Sequence, residues 1–153
     1  MQSQLLLTKT DSAGNHINYY RFDALAHSPA YTFFLRELAN LIDSGYAHPI
    51  TSWEDQDCAC IYAEHDGQII GAIVYSTRTV SKQGSVWLVV GSVIKQYQGL
   101  GIYRVLRTLL EDIARELGCW GVASYIHVKN QSALKMAEAL GARPVYYYMA
   151  KKI

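Results

Sequence analysis

Residues 85–117 restrict the possible folds of this chain more than any other stretch. Ser85 to Ile94 (Ser-Val-Trp-Leu-Val-Val-Gly-Ser-Val-Ile) is almost wholly apolar, as expected of a central strand covered on both faces. Tyr97-Gln98-Gly99-Leu100-Gly101 follows, and then Ile102, Val105, Leu106, Leu109, Leu110, Ile113 and Leu117 recur at helical spacing up to Gly118. Strand, glycine-rich turn and helix in that order commit the chain to an α/β fold. Gly91 within the strand marks a bulge or a close approach of another group to the backbone.

Glycine at 99 and 101 lets the backbone turn tightly enough for successive amide hydrogens to converge. A helix beginning near Ile102 adds its unpaired first amides and the positive end of its dipole, which together suit a phosphate or pyrophosphate. Charge agrees with this locally. The net charge is only +1, yet no Asp or Glu occurs from Gln68 to Leu110, where Arg78, Lys82, Lys95, Arg104 and Arg107 all fall. Taken alone, Gly-x-Gly before a helix is also an ordinary tight turn. The third glycine near Arg104 and the later acid of a dinucleotide-binding loop are missing, as is the Gly-Lys-Ser/Thr of a Walker loop.

The remaining chain reads as one domain over residues 1–153, without repeats, linkers or low-complexity tracts. His16 to Phe22 alternates as a first strand does. Ser28-Pro29 resembles an N-cap followed by proline at the first helical position, and Tyr31, Phe34, Leu35, Leu38, Leu41 and Ile42 continue as a helix that ends near Gly45. Cys58–Ala63 and Ile69–Thr79 flank an Asp66-Gly67 step, a hairpin signal. Val122–Val128 reads as a strand, Gln131–Leu140 as a helix closed by Gly141, and Pro144–Lys151 as a last, tyrosine-rich strand. The expected fold is a mixed, mostly antiparallel central sheet flanked by helices on both faces.

Other functions are disfavoured by composition. A net charge of +1 argues against nucleic-acid binding. No apolar run is long enough to span a bilayer, and residues 1–10 lack the features of a secretory signal, so a cytoplasmic chain without a membrane partner is expected. Cys58, Cys60 and Cys119 form neither a disulfide framework nor a metal pattern and read as core residues. No metal is expected.

The stretch Val93-Ile94-Lys95-Gln96-Tyr97-Gln98-Gly99-Leu100-Gly101-Ile102 resembles the acetyl-coenzyme A pyrophosphate loop of the GNAT N-acetyltransferase superfamily. A second family motif follows in order: Ile126-His127-Val128-Lys129-Asn130, Ala133, then Leu140-Gly141-Ala142. The resemblance covers roughly residues 61–148. It implies transfer of an acetyl group from acetyl-CoA to a primary amine. The backbone from Gln98 through Gly99, Leu100, Gly101, Ile102 and Tyr103 to Arg104 would hold the pyrophosphate, the strand edge at Val93 would pair with the pantetheine arm, and Asn130 would hydrogen-bond it. Asn130 also stands where a helix N-cap belongs. Family habit and the tyrosine-rich end suggest a homodimer.

Departures from the family pattern fall on catalysis. The last small residue of the loop is replaced by Tyr103, and the tyrosine that many members use to protonate the thiolate aligns with Ala137. No carboxylate stands on Trp87-Leu88-Val89-Val90-Gly91-Ser92, where many members carry a glutamate. Candidate assisting groups are His127, Tyr146, Tyr148, Glu54, Asp57 and Glu64, and none stands out, so the catalytic residues stay unknown. A strand-edge amide near Val93 would polarise the acyl carbonyl. A non-catalytic acyl-CoA binding module is the alternative reading, and a toxin acting on charged transfer RNA fits the charge poorly. The acceptor itself cannot be read from the sequence.

Overall fold

Side chains alternate across a strand, so a sheet with apolar residues at both parities must be covered twice. That requirement shapes this chain. The computed structural model describes residues 2–46, 58–76, 84–147 and 149–153. Among them, β1 (Gln4–Thr10), β2 (His16–Phe22), β3 (Cys58–His65), β4 (Gln68–Ser76), β5 (Ser85–Val93) and β6 (Gly121–Ser124) form one sheet in chain order. All neighbours are antiparallel except β5 and β6, which run parallel. Helix α1 (Tyr31–Asp43) covers one face, α2 (Ile102–Glu116) the other, and α3 (Gln131–Ala139) follows β6.

On the α2 face, Ile17, Tyr19, Ile61, Ile73, Tyr75, Val86 and Val93 meet Ile102, Leu106, Leu110 and Ile113. The helical stripe expected from Ile102 onward is therefore the core seam, with Leu109 and Val105 half-buried at its side and Leu117 exposed. On the α1 face, Phe22, Cys58, Cys60, Tyr62, Val74 and Val90 meet Phe33 and Phe34. The Asp66-Gly67 hairpin is present, with both residues at positive φ as a tight two-residue turn demands.

Several expected elements differ. β1 precedes the strand expected to be first; its side chains are exposed except for half-buried Leu6, so it carries no alternating signal. Helix α1 starts at Tyr31 after Ala30, not at Pro29, because the Ser28 hydroxyl donates to the Leu25 carbonyl (2.8 Å) and closes a 3-10 turn over Leu25–His27 instead of capping α1. Phe33 takes the core place expected of Leu35, and Leu35 and Ile42 face outward. The bulge in β5 falls at Val89, where the register to β4 shifts, and not at Gly91. β6 stops at Ser124 rather than reaching Val128.

The last expected strand, residues 144–151, is not formed among the described residues: that segment has no regular structure, and Val145, Tyr146, Tyr147 and Met149 are exposed. Among the described residues no helix is long and apolar enough to cross a membrane, and no group of three or more His, Cys, Asp or Glu could hold a metal ion.

Cys58 and Cys60 are buried, and burial pushes the Cys60 thiol up to about 11, while Cys119 is half-exposed. The thiolate is the reactive form, so a buried thiol with a raised pKa stays protonated and unreactive at pH 8. A disulfide reagent at pH 8 is expected to modify one thiol rapidly in the native protein, Cys119, and all three after denaturation. Rapid native labelling of Cys60, read by peptide mass, would contradict this burial.

Candidate active site

Two strands that pair for only part of their length leave an open edge. β6 pairs with Ser85 to Leu88 of β5, through the register Ser85↔Gly121 to Leu88↔Ser124, and then ends. β5 continues to Val93, paired only with β4. The strands part where the Val89 bulge interrupts the β4 register.

Which polar groups face the gap follows from antiparallel geometry. The Ile94 amide donates to the Ile70 carbonyl at 2.8 Å, so the positions hydrogen-bonded to β4 alternate from Ile94 back to Ser92 and Val90. Gly91 and Val93 lie between them and point their amide and carbonyl groups away from β4, into the gap. The Val93 carbonyl accepts from Gln98 Nε2 at 2.8 Å. Among the described residues, the Gly91 amide and carbonyl and the Val93 amide have no partner.

The turn after β5 adds a row of donors. Lys95–Tyr97 is a short 3-10 turn, and the amides of Tyr97 and Gln98 are spent within it. From Gly99 to Arg104, six successive amides find no acceptor among the described residues, and no side chain caps α2. Gly101 is left-handed (φ +90°), and a Cβ built on it or on Gly99 meets nothing within 4 Å. The space in front of the donors is therefore open, and only residues without a side chain leave it so at these angles. The turn is braced from outside: Ser12 donates its amide to the Leu100 carbonyl at 3.2 Å, and the Tyr97 ring lies 5.8 Å from that of His65.

Tyr103 does not lie across this open space. Its ring packs beneath Gly91: a Cβ there would come within 2.8 Å of the ring and 3.0 Å of its hydroxyl oxygen. The close approach expected at Gly91 is thus made by Tyr103, and a large residue on α2 is matched by the absence of one on β5. Burial raises the Tyr103 pKa, with the Arg107 guanidinium opposing, so the ring stays neutral at physiological pH. Arg107 is itself buried in α2, away from the role of a surface cation, whereas Arg104 is exposed beside the turn. Arg78 and Lys82 lie outside the described residues.

Asn130 caps α3 as expected: its Oδ1 accepts from the Ala133 amide at 3.2 Å, and the cap leaves Nδ2 unused. His127 is drawn into the local turn, its Nδ1 accepting from the Lys129 amide at 3.1 Å, and its ring lies 6.1 Å from Tyr46. Tyr146 is 91% exposed and in no strand. Glu64 sits in β3 opposite Asn18, two strands from the gap. Glu54, Asp57 and Tyr148 lie outside the described residues. One group was missed: Glu37 of α1 reaches β5, where its Oε2 accepts from Ser92 Oγ at 2.8 Å. A glutamate on a helix face carries no sequence signal of such a contact.

A cavity of about 430 Å³ lies on the far side of α2, lined by Leu7, Lys9, Asp11, Arg104, Leu109 and Asp112. It touches the turn through Gly101 but is separated from the β5 edge by α2, and its acids and bases offset one another.

Known proteins share this fold. A family model for the acetyltransferase (GNAT) family matches residues 16–142. No curated protein matches the sequence significantly. Among solved structures, the aminoglycoside N-acetyltransferase AAC(6')-Iy in complex with CoA is similar at TM-score 0.66 and 21% identity, over 92% of this chain and 96% of that one. A ribosomal-protein-alanine N-acetyltransferase from Brucella melitensis biovar Abortus 2308 matches at TM-score 0.67 and 15% identity, over 90% and 99%. A putative acetyl transferase from Pyrococcus furiosus matches at TM-score 0.64 and 20% identity, over 88% and 99%.

The paired sizes of Gly91 and Tyr103 yield a stability prediction. Gly91→Val drives a side chain into the ring and is expected to destabilise by about 1–3 kcal/mol. In a Tyr103→Ala background the same change is expected to cost far less, a coupling measurable by urea unfolding of the four proteins of the cycle. Additive effects would show that the ring does not lie beneath Gly91.

Proposed function

The chain belongs to the GNAT acetyltransferase family, and from that premise we propose that it moves the acetyl group of acetyl-CoA to a primary amine. The observation that carries this reading is the continuity of two donor rows, the free Gly91–Val93 edge and the six unpaired amides of Gly99 to Arg104. One suits an amide-bearing chain laid along a strand, the other a pyrophosphate.

The residues present fit the group. The amides from Gly99 to Arg104 form a cradle with open space before it, where Gly99, Leu100, Gly101, Ile102 and Tyr103 contribute backbone only. Gln98 itself donates its amide within the 3-10 turn and serves by tying the turn to the strand through its side chain. Arg104 and Lys95 add positive charge. The Val93 amide pairs with the pantetheine arm, and Asn130 offers Nδ2. Acetyl-CoA supplies an acyl group activated as a thioester. The Gly91 amide, rather than a group at Val93, is then the donor placed to polarise the acyl carbonyl. Holding both reactants against one edge contributes several kcal/mol through orientation, on the order of the 7–11 kcal/mol known for well-oriented reactions.

Titration calorimetry tests the reading. Acetyl-CoA and CoA are expected to bind the wild-type protein, and Gly101→Glu, which sets a carboxylate in the cradle, is expected to weaken both by more than about 100-fold. A thermal melt of the variant separates this from misfolding. Absence of wild-type binding would sink the proposal. Ala137, where many relatives carry an acid, favours a second reading as a binding module; binding without thiol release to any primary amine would select it.

The exposed C-terminal segment supports a homodimer. Val145, Tyr146, Met149 and Ile153 are each more than 70% exposed, and such an apolar series is covered in stable proteins. Sedimentation equilibrium is expected to give a dimer and a truncation after Arg143 a monomer. A monomeric full-length chain at micromolar concentration would refute the assembly.

A further inference from the structure

Transfer to an amine needs a group that receives the acceptor's ammonium and takes up its proton, because only the neutral nitrogen attacks. Geometry limits where that group stands. Helix α2 and the turn occupy one face of the sheet beside the gap, so an acceptor must reach the Gly91 amide from the face covered by α1. On β5 that face is presented by Val90 and Ser92, since Val90 packs with α1 and Ser92 bonds to it.

Among the described residues, one carboxylate meets β5 on that face. Glu37 Oε2 accepts from Ser92 Oγ at 2.8 Å, and its other oxygen lies 3.8 Å from Arg36 Nε. Ser92 stands between Gly91 and Val93, the two residues whose amides face the gap. The Glu37 side chain is 17% exposed, whereas Arg36 is 60% exposed, so the arginine is a solvent-screened neighbour and not a buried partner. One of the carboxylate's oxygens is thus fixed to the strand and the other retains unused acceptor capacity.

The same face carries aromatic rings where β5 is still paired with β6. Val86 belongs to the α2 face, so Trp87 projects to the α1 face, where its ring stacks on Tyr125 at 4.8 Å. Tyr46, just beyond α1, approaches His127. Aromatic faces on the same side of the sheet as a carboxylate favour a cationic group.

We propose that Glu37, held by Ser92, is the carboxylate that binds the acceptor's ammonium and accepts its first proton, and that the acceptor is a cationic primary amine. This rests on the acetyl-transfer reading. The ammonium gives one proton to the Glu37 carboxylate, the nitrogen forms its bond to the acyl carbon as the carbon–sulfur bond breaks, the second nitrogen proton passes to the departing thiolate, and Glu37 returns its proton to solvent. Charge and atoms balance as ammonium plus thioester going to amide, thiol and one proton.

Benzylamine, cationic at neutral pH, and aniline, neutral there, are the probes. Calorimetric titration of benzylammonium into the full chain saturated with CoA is expected to show binding that Glu37→Gln weakens by about tenfold or more, with CoA affinity and melting temperature unchanged. The variant keeps an oxygen for Ser92 and loses only charge. With acetyl-CoA, the variant is expected to raise KM and lower kcat for benzylamine while leaving kcat/KM for aniline within about twofold. Should Glu37→Gln melt early, Ser92→Ala, which releases the carboxylate without removing it, is expected to weaken benzylammonium binding in the same direction. Equal loss for both probes, unchanged benzylammonium binding, or no binding by the wild type overturns the proposal. Failure of the underlying reading shows separately, as absence of CoA binding in the first titration.

Discussion

The parting of β5 from β6 is the constraint on which the rest of the structure depends. Had β6 continued alongside β5 to Val93, the Gly91 and Val93 amides would be consumed by the ladder and no edge would remain. Two features prevent this: β6 ends at Ser124, and the Val89 bulge alters the course of β5 at the point of separation. An unpaired edge is ordinarily a liability that invites further strands. Here its reach is limited to one short stretch, bounded on the α2 side by the turn and on the other by α1.

That edge is useful only if the turn beyond it is held in register, and three contacts do so. Gln98 ties the turn to the Val93 carbonyl, Ser12 holds the Leu100 carbonyl from the β1–β2 connection, and Tyr97 leans on His65 of the β3–β4 hairpin. Each is worth only about 0.5–1.5 kcal/mol by itself. Together they draw on three different parts of the sheet, so the turn that carries the six unpaired amides is held by the fold itself. Preorganised donors of this kind cost little reorganisation when charge arrives.

What the sequence made legible follows from the range of the interactions involved. The turn, the α2 seam, the Asp66-Gly67 hairpin and the Asn130 cap are local: each is specified by neighbours within a few residues, and each was found. Elements set by distant contacts, or by competition between local bonds, were not. β1 is an exposed edge strand held by pairing with β2, so nothing in Gln4 to Thr10 alternates to announce it. The start of α1 moved because the Ser28 hydroxyl chose Leu25 over a helix amide, a competition between two local bonds that composition does not decide. Residues 144–151 have strand-like composition but no strand partner within the described chain. At the site, the amide row of the turn was visible as Gly-x-Gly before a helix and the strand edge at Val93 only through the family resemblance, whereas Glu37 and the Gly91–Tyr103 match needed three-dimensional proximity.

The departures from the family pattern become intelligible as exchanges between neighbouring positions. Tyr103 stands where a small residue is usual, and the space its ring requires is provided by Gly91, so the cradle keeps its opening and β5 keeps its course. The strand lacks a carboxylate, yet Ser92 on that strand holds one from α1 at 2.8 Å. In both cases a departure on one element is offset by an element packed against it. A site assembled in this way depends on how α1 and α2 seat against β5, and therefore on the two cores that Phe33 and Phe34 form on one face and Leu106 and Leu110 on the other. Packing far from the gap thus governs the placement of Glu37 and of the amide row, because neither is fixed by the strand alone.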